Sequence, residues 1–400
     1  MSRIFLPHEW PLTGLPPLSL YLHFPWCVRK CPYCDFNSHA LTDSLPESRY
    51  IDALLADLEQ ALPAIWGRPV QTVFLGGGTP SLFSPDAIDR LLSVLRSLVR
   101  LDPRAEITLE ANPGTLEIDR FREFRAIGIN RLSLGIQSFN DRHLAALGRI
   151  HGAGEAHRAV ELAAEHFDNF NLDLMYALPE QTADECLADL GAALAARPPH
   201  LSLYHLTIEP NTPFHHRPPA LPDEDHAADM QQAIEQAMQS AGYLHYETSA
   251  FARPGAQARH NLNYWQFGDY LGLGAGAHGK ISSATGIVRE QRPPHPREYM
   301  ELALAGQAVS QRRTVAADAL PFEFMMNALR LTAGFDPALF AERTGLPLIL
   351  AEQPLAEAER RGLLQRQPDR IAPTLLGQRF LNDLLTLFLP DSAHESTSTI

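Results

Sequence analysis

Three of the four cysteines in the chain fall in one short segment, HFPWCVRKCPYCDF, with the spacing C-x3-C-x2-C. They are Cys27, Cys31 and Cys34. Thiolates are soft ligands that suit zinc or iron–sulfur clusters. A structural zinc ion needs four ligands, and the fourth would have to be His23, His39 or Cys186. A four-iron cluster normally takes four cysteines, so three would leave one iron open to a substrate or cofactor. The spacing favours the cluster, and a zinc loop is the alternative.

Six apolar or alternating runs between helical patterns are predicted to position this segment. The predicted strands cover 18–23, 70–75, 106–110, 131–136, 170–175 and 201–206. The helical patterns cover 47–62, 85–99, 116–127, 153–165, 182–197 and 223–241. Such alternation predicts a parallel sheet with helices outside. Six units are too few for a closed eight-stranded barrel of about 250 residues. We therefore expect an α/β fold with a partial (β/α)6 barrel, and a doubly wound sheet is the alternative.

Polar residues follow the predicted strands at the ends where a parallel barrel collects its chemistry. They are the glycine run Gly76–Gly78 with Thr79, then Glu110, Gln137, Asp173, Tyr204 and His205. Glycines let a backbone approach a small ligand closely. The carboxylates can accept hydrogen bonds from ribose hydroxyls or an ammonium group, and Arg149 can pair with a carboxylate. A plain turn and helix capping are the alternatives for single residues, so the set carries more weight than any member.

The last quarter of the chain has a different pattern. Helices are predicted over 318–333, 347–361 and 376–388, with two short strands, LLQR and RIAP, before the last helix. This order predicts a small winged-helix-like α+β domain. We expect the barrel and its following strands over 1–290, the C-terminal domain over 298–388, and a disordered tail over 390–400.

Composition narrows the class of protein. The chain has 400 residues, 45% of them hydrophobic and 20% charged, which is typical of a globular protein with a sizeable core. The net charge of -14 disfavours nucleic acid as a partner. We find no secretory signal and no apolar run of about 18 residues, so we expect no transmembrane segment. The few, clustered cysteines predict a reducing compartment, the cytoplasm.

Separated motifs occur in a characteristic order along the chain. They are YLHFPWCVRKCPYCDFNS, FLGGGTPS, LEANP, SLGIQSF, LGRIH, NLDLMYALP, LYHLTIEPNTPF, HNLNYW and GLGAGAHG. Over roughly residues 18–385 the sequence resembles the coproporphyrinogen III oxidase-like branch of the radical S-adenosylmethionine (radical SAM) superfamily. The resemblance implies a [4Fe-4S] cluster on the three cysteines and S-adenosylmethionine on the open iron, where an electron from the cluster cleaves the sulfonium. It places at the S-adenosylmethionine site Tyr21, Tyr33, Gly77, Gly78, Thr79, Glu110, Gln137, Arg149 and Asp173.

Two kinds of protein belong to this branch: oxygen-independent coproporphyrinogen III oxidases and HemW-type heme chaperones. The oxidases carry another cysteine two positions after the third, where this chain has Phe36, and a longer N-terminal extension. Both departures favour a heme chaperone, and the oxidase is the alternative. The implied partners are heme and hemoprotein acceptors, including membrane-bound ones.

The segment HNLNYW resembles the H-N-x-x-Y-W motif of the chaperones, which makes His260 a candidate axial ligand of heme. A hydrogen-bonded structural histidine is the alternative at this position. His278 and the pair His215–His216 are weaker candidates. We predict no residue for a catalytic role of its own.

Overall fold

A computed structural model describes residue 12, residues 14–114 and residues 120–390. The start of the helix predicted over 116–127 and nearly all of the tail predicted over 390–400 lie outside these ranges.

The strands, in chain order, are these. They are β1 Leu18–Phe24, β2 Trp26–Cys27, β3 His39–Ala40, β4 Pro69–Gly77, β5 Arg100–Ala111, β6 Arg131–Gln137, β7 Phe170–Tyr176, β8 His200–His205, β9 Leu244–Glu247, β10 Ala250–Ala252, β11 Asp269–Leu273, β12 His278–Ser283, β13 Gly286–Gln291, β14 Gln311–Thr314, β15 Leu364–Gln367 and β16 Arg370–Pro373.

The helices lie between and after the strands. They are α1 Glu47–Ile65, α2 Pro85–Leu98, α3 Phe121–Ala126, α4 Asp141–Ala146, α5 Ala153–His166, α6 Ala183–Ala195, α7 Pro213–His216, α8 Glu224–Ser240, α9 Arg259–Trp265, α10 Pro296–Leu304, α11 Leu320–Ala328, α12 Pro337–Thr344, α13 Glu352–Arg360, α14 Leu375–Arg379 and α15 Leu381–Thr386. Two 3-10 turns cover Pro80–Leu82 and Leu348–Ala351.

The large sheet has the order β14-β13-β12-β11-β1-β4-β5-β6-β7-β8-β10-β9. Its middle, from β1 through β4, β5, β6 and β7 to β8, is parallel and runs in sequence order. A doubly wound sheet reverses its strand order at a switch point, and this sheet does not. Every crossover between these six strands advances in one direction, which puts the helices on one face. The predicted partial (β/α)6 barrel is therefore confirmed.

Two extensions flank the six parallel strands. On one side β11 pairs in parallel with β1, and β12, β13 and β14 continue the sheet in antiparallel fashion. On the other side β10 pairs antiparallel with β8. The sheet therefore continues on both sides of the barrel strands.

Local sequence explains the clearest helix, α2. The Ser84 hydroxyl accepts a hydrogen bond from the Ala87 amide, and Pro85 occupies the first turn. Its apolar face buries Ile88, Leu91, Leu92 and Leu95 against the sheet. Among the residues described here, no helix has the length and apolar character that crossing a membrane requires.

The C-terminal elements follow the predicted order of helices, hairpin and helix, but with different bounds. The helix predicted over 318–333 covers only Leu320–Ala328, and the one over 347–361 begins as a 3-10 turn before Glu352–Arg360. The helix predicted over 376–388 is two short helices, because the backbone at Phe380 leaves helical geometry with φ -112° and ψ 45°.

A second hydrophobic core holds this region together. Phe324 packs edge to face on Phe335 and Phe340 within it. Ile287 of strand β13 and Phe267, which lies just before β11, belong to the same core. The division of the chain at 290–298 stays a prediction, and the strand Gln311–Thr314 belongs to the large sheet.

A buried ionic network ties the first helix to the segment before α10. Asp57 accepts hydrogen bonds from Arg292 Nη2 at 3.0 Å and from the Tyr299 hydroxyl at 3.0 Å. Arg292 is 0% and Asp57 1% exposed. Removing one partner of such a pair leaves an uncompensated buried charge, which costs far more than the pair contributes.

Replacement of Asp57 by Ala is expected to lower the free energy of unfolding by about 3–5 kcal/mol, because the buried Arg292 and the Tyr299 hydroxyl would both lose their acceptor and Glu290 alone would remain as counterion. Asp52 on the same helix is the control, since its pair with Arg90 is about half exposed. The Asp52→Ala change should cost less than about 1 kcal/mol in the same urea titration. Equal losses for the two variants would contradict this assignment.

Candidate functional site

One cavity of about 540 Å³ lies at the carboxyl ends of the parallel strands. Most of the predicted site residues line it: Cys27, Cys31, Tyr33, Cys34, Gly77, Gly78, Thr79, Glu110, Gln137, Arg149 and Asp173. Tyr204 and His205 line it as well. Because the parallel strands all end at this edge, residues far apart in sequence meet in one place.

The segment that carries the cysteines has little regular structure and is held by contacts with its surroundings. The Leu41 amide donates to the Cys27 carbonyl at 2.9 Å, which pairs the short strands β2 and β3. Arg149 donates from Nη1 to Cys31 Sγ at 3.6 Å, and the Phe214 amide donates to the Pro32 carbonyl at 3.0 Å. All three thiols are free and partly exposed.

The cysteine arrangement fits a multi-iron cluster better than a single ion. In the part of the chain that the structure describes, no three His, Cys, Asp or Glu side chains are grouped so that they could hold one metal ion. Cys186, a possible fourth zinc ligand, is buried in helix α6. Each cysteine of a four-iron cluster binds a different iron, so its ligands need only face a common space. The three thiols meet that requirement.

The glycine run packs against the backbone of the cysteine segment. The Gly78 amide donates to the Phe24 carbonyl at 2.7 Å, and the Thr79 amide donates to the Trp26 carbonyl at 2.7 Å. A Cβ at Gly78 would lie 2.5 Å from the Trp26 carbonyl oxygen. The sequence suggested that these glycines leave room for a ligand. The structure adds that Gly78 is required by the protein's own backbone.

Two partly buried carboxylates line the cavity. Glu110 Oε2 accepts a hydrogen bond from the Gly77 amide at 2.9 Å, and burial raises its pKa to about 7. Asp173 accepts from Asn171 Nδ2 at 2.8 Å and from the Ser133 hydroxyl at 3.2 Å. Burial also raises the pKa of Asp173. These neighbours fix both groups as hydrogen-bond acceptors for a ligand.

Gln137 and Arg149 keep polar atoms without a protein partner. Gln137 has a left-handed backbone, φ 68°, which is unusual for a residue other than glycine, and its buried Oε1 has no partner among the described residues. Arg149 donates from Nη2 to Asn112 Oδ1 at 2.5 Å and to the Gly135 carbonyl at 2.7 Å, while its buried Nε has no partner in the described part of the chain. Buried polar atoms of this kind are normally satisfied. The cavity wall therefore fits a polar ligand such as S-adenosylmethionine.

Tyr21 does not line the cavity. Its ring stacks on Phe74 with 6.2 Å between the centroids, and its hydroxyl lies 3.0 Å from His23 Nδ1. Burial, with a smaller contribution from Glu110, raises its pKa. Tyr21 thus lies behind the wall, where it can support the residues that face the ligand.

His260 is buried in the interior of the barrel, where its predicted role as a heme ligand does not fit. Its Nδ1 lies 2.7 Å from Thr72 Oγ1 and its Nε2 lies 2.9 Å from the Tyr264 hydroxyl. Its side chain is only 1% exposed, and burial lowers its pKa to about 3. Both ring nitrogens are occupied, so heme ligation would require breaking two buried hydrogen bonds. The geometry supports the structural alternative.

Sequence reasoning missed the polar floor of the cavity. It consists of Arg131, Ser133, Asn171, His200, Ser202 and Asn261. A period of two was visible in β6, where Arg131, Ser133, Gly135 and Gln137 alternate with Leu132, Leu134 and Ile136. That alternation would have identified every inward-facing polar residue of the strand, and only Gln137 was selected from it.

The Gly78→Ala variant is expected to bind less iron after anaerobic reconstitution, because the added Cβ would push the cysteine segment away from β4. We expect iron per chain to fall by at least half. Gly154→Ala is the control, since nothing lies within 4 Å of a Cβ at that position in α5. Full iron incorporation by Gly78→Ala would show that this contact does not position the cysteines.

Comparisons with known proteins agree with this site. Residues 21–191 match the radical SAM superfamily, and residues 315–380 match the HemN C-terminal domain. A protein of Escherichia coli K12 named heme chaperone HemW is 50% identical over 95% of this chain and 100% of its own length. A Haemophilus influenzae protein of the same name is 48% identical over 95% of this chain and 100% of its own.

A solved structure of coproporphyrinogen III oxidase (HemN) from Escherichia coli, described as a radical SAM enzyme, covers 94% of this chain and 90% of its own with a TM-score of 0.79. Its sequence identity of 24% makes it evidence for the fold alone. The identity to the two HemW relatives extends over nearly the whole chain, so it shows the family as well as the fold. The chain belongs to the HemW family within the radical SAM superfamily.

Proposed function

We propose that this protein is a heme chaperone, which binds heme and transfers it to hemoprotein acceptors, and which carries a [4Fe-4S] cluster with exchangeable S-adenosylmethionine. The observation that carries the proposal is the 50% identity, over 95% of the chain, to a relative named as a heme chaperone. The cavity supports the cofactors, because the thiols and the unpartnered polar atoms of Gln137 and Arg149 face one space.

Named residues would hold each cofactor. The cluster would be held by Cys27, Cys31 and Cys34. S-adenosylmethionine would be held by Tyr33, Gly77, Gly78, Thr79, Glu110, Gln137, Arg149 and Asp173, with Tyr21 behind them. When both are bound, they supply one-electron reductive chemistry at the sulfonium. The chain itself contributes acceptors fixed by Gly77, Ser133 and Asn171, and a guanidinium beside Cys31.

Phe36 favours the chaperone over the oxidase. It occupies the position of the extra cysteine of the oxidases, it lines the cavity, and it is 61% exposed. Exposed Val28 and Ile150 line the same cavity. An apolar rim of this kind can cover part of a porphyrin, whereas a cysteine at position 36 would supply a reactive thiol.

The heme ligand is better sought at the exposed His278 and His295, or at the partly buried His39, than at His260. His39 and His295 lie with their rings 5.6 Å apart, and His278 is exposed at the start of β12. Asn37 links these segments by donating to the carbonyls of Ala275 and Pro294. We call His39, His278 and His295 the histidine surface, and we propose that it supplies the axial ligand.

The proposal also covers the partners of the protein and its cellular compartment. The acceptors would be hemoproteins, including membrane-bound ones, and nucleic acid is not proposed as a partner. The compartment would be the cytosol, since free thiol ligands need a reducing environment.

Anaerobic reconstitution followed by heme titration and a coproporphyrinogen assay on the same sample tests the function. We expect about four irons per chain, saturable heme binding, and no decarboxylation of coproporphyrinogen III in the presence of S-adenosylmethionine and reductant. Decarboxylation by this sample would establish the oxidase instead. A colourless reconstituted protein would refute the cluster.

Single histidine variants test the ligand. His278→Ala is expected to shift the Soret band and weaken heme binding, because the free imidazole would be lost. His260→Ala should keep the heme spectrum but lower the free energy of unfolding by about 1–3 kcal/mol, because two buried hydroxyls lose a partner. His157→Ala, on the exposed face of α5, is the surface control. Loss of the heme spectrum in folded His260→Ala alone would reverse this assignment.

A further inference from the structure

The polar floor of the cavity contains a buried cation that nothing above explains. Arg131, the first residue of β6, is 2% exposed and lines the cavity. Its Nε is buried without a partner, and no carboxylate of the described residues lies within the 4.0 Å of an ion pair. A buried guanidinium without direct contacts is costly, so its position calls for a reason.

The other buried cations of the chain show what this protein ordinarily does. Arg292 contacts Asp57 at 3.0 Å, and Lys280 contacts Asp269 at 2.9 Å. Arg149, in the same cavity, uses its donors on Asn112, Gly135 and Cys31. Arg131 differs from Arg292 and Lys280, because no ion pair joins it to a carboxylate of the described residues, although it acts electrostatically on Glu110 and Asp173.

The strand register places Arg131 below both carboxylates. Thr108 of β5 pairs with Arg131, and the next inward pair on the same strands is Glu110 with Ser133. Ser133 in turn donates to Asp173. Arg131 therefore starts one layer deeper in the sheet than Glu110 and Ser133, the residue that donates to Asp173.

We infer that Arg131 is a positioning residue that favours the ionised forms of Glu110 and Asp173 while leaving their oxygens free for S-adenosylmethionine. A direct salt bridge would occupy those oxygens and draw the carboxylates away from the ligand. A nearby cation that makes no direct ion pair stabilises both charges through the low-dielectric interior without consuming an acceptor. This inference rests on the proposed S-adenosylmethionine site.

Electrostatics at the site agree with this arrangement. Two carboxylates buried near each other cannot both ionise easily near neutral pH without a compensating charge. Burial raises the pKa of Glu110 to about 7, Asp173 adds to the rise, and Arg131 opposes it. Arg131 also opposes the rise in the pKa of Asp173 that burial causes.

No other group at the floor supplies positive charge. Burial lowers the pKa of both His200 and His260, and Arg131 lowers it further, so both rings are neutral at pH 7. The groups that act electrostatically on Glu110 or are acted on by it are Asp173, Arg131, Tyr21, Tyr204 and Tyr264. The pKa of each of the three tyrosines is raised above its ordinary value, so none of them ionises near neutral pH. Glu110, whose pKa burial raises to about 7, is therefore the group on which a test near neutral pH depends.

The pH dependence of S-adenosylmethionine binding by Arg131→Met tests the inference on the reconstituted protein. Loss of the cation should raise the pKa of Glu110 further, and the ionised, binding form then appears only at higher pH. For a rise of about one unit, affinity relative to wild type should fall about fivefold at pH 7 and less than about twofold at pH 9. The ratio to wild type cancels any titration of S-adenosylmethionine itself.

Three further variants sharpen the experiment. Arg131→Lys should restore most of the affinity at pH 7, because it keeps the charge. In a Glu110→Gln background, Arg131→Met should lose most of its pH-dependent effect, since the main group it acts on no longer titrates. Arg158→Met, an exposed arginine on α5, controls for the change in net charge and should follow wild type.

Binding is measured by equilibrium dialysis of labelled S-adenosylmethionine, with iron content and circular dichroism checked for each variant. An equal loss of affinity at pH 6 and pH 9 in folded Arg131→Met would overturn the inference, as would unchanged affinity at every pH. If Arg131→Met does not fold, Arg131→Gln takes its place with the same expectations. No binding by the wild type would instead refute the S-adenosylmethionine site on which the inference rests.

Discussion

The close contact between the end of β4 and the cysteine segment is the constraint on which the site depends. The amides of Gly78 and Thr79 reach the carbonyls of Phe24 and Trp26, and only glycine fits at position 78. This contact brings two chain segments about fifty residues apart into register at one edge of the sheet. The thiols and the backbone of the glycine run then form two parts of the same cavity wall. A looser contact would leave three cysteines on an irregular segment without a fixed relation to the ligand site.

The six barrel strands could be predicted because each is a short run of apolar residues between helical patterns. The run predicted over 131–136 is the strand Arg131–Gln137, and the run over 170–175 is Phe170–Tyr176. Strands β11 and β14 were harder, because Asp269–Leu273 is glycine-containing and Gln311–Thr314 is wholly polar and exposed. Their place is decided by pairing with β1 and β13, and such long-range pairing leaves no trace in local sequence.

Sequence reasoning selected residues at strand ends that line one cavity in the structure, and it overlooked the polar residues of the barrel interior. Cysteines, glycines and carboxylates after strands are conspicuous, whereas His260 looked like a free ligand within its motif. Tyr264 stands four residues after it on α9, so one of its two hydrogen bonds was readable as an i,i+4 pair. The other comes from Thr72, on a strand distant in sequence, and could be seen only in the folded chain. Arg131 was missed because a charged residue at the start of a strand is usually interpreted as exposed to solvent.

Helix α9 fills the amino-terminal end of the barrel, where His260 contacts Thr72 and Asn263 donates to the Ser19 hydroxyl at 2.9 Å. Because α9 closes this end, a ligand would enter and leave the cavity past the cysteine segment at the other end. A ligand that binds first would therefore occupy the deepest part of the cavity and would be the last to leave. A large ligand bound across this opening would block the release of a smaller ligand beneath it, so the order of binding would determine the order of release.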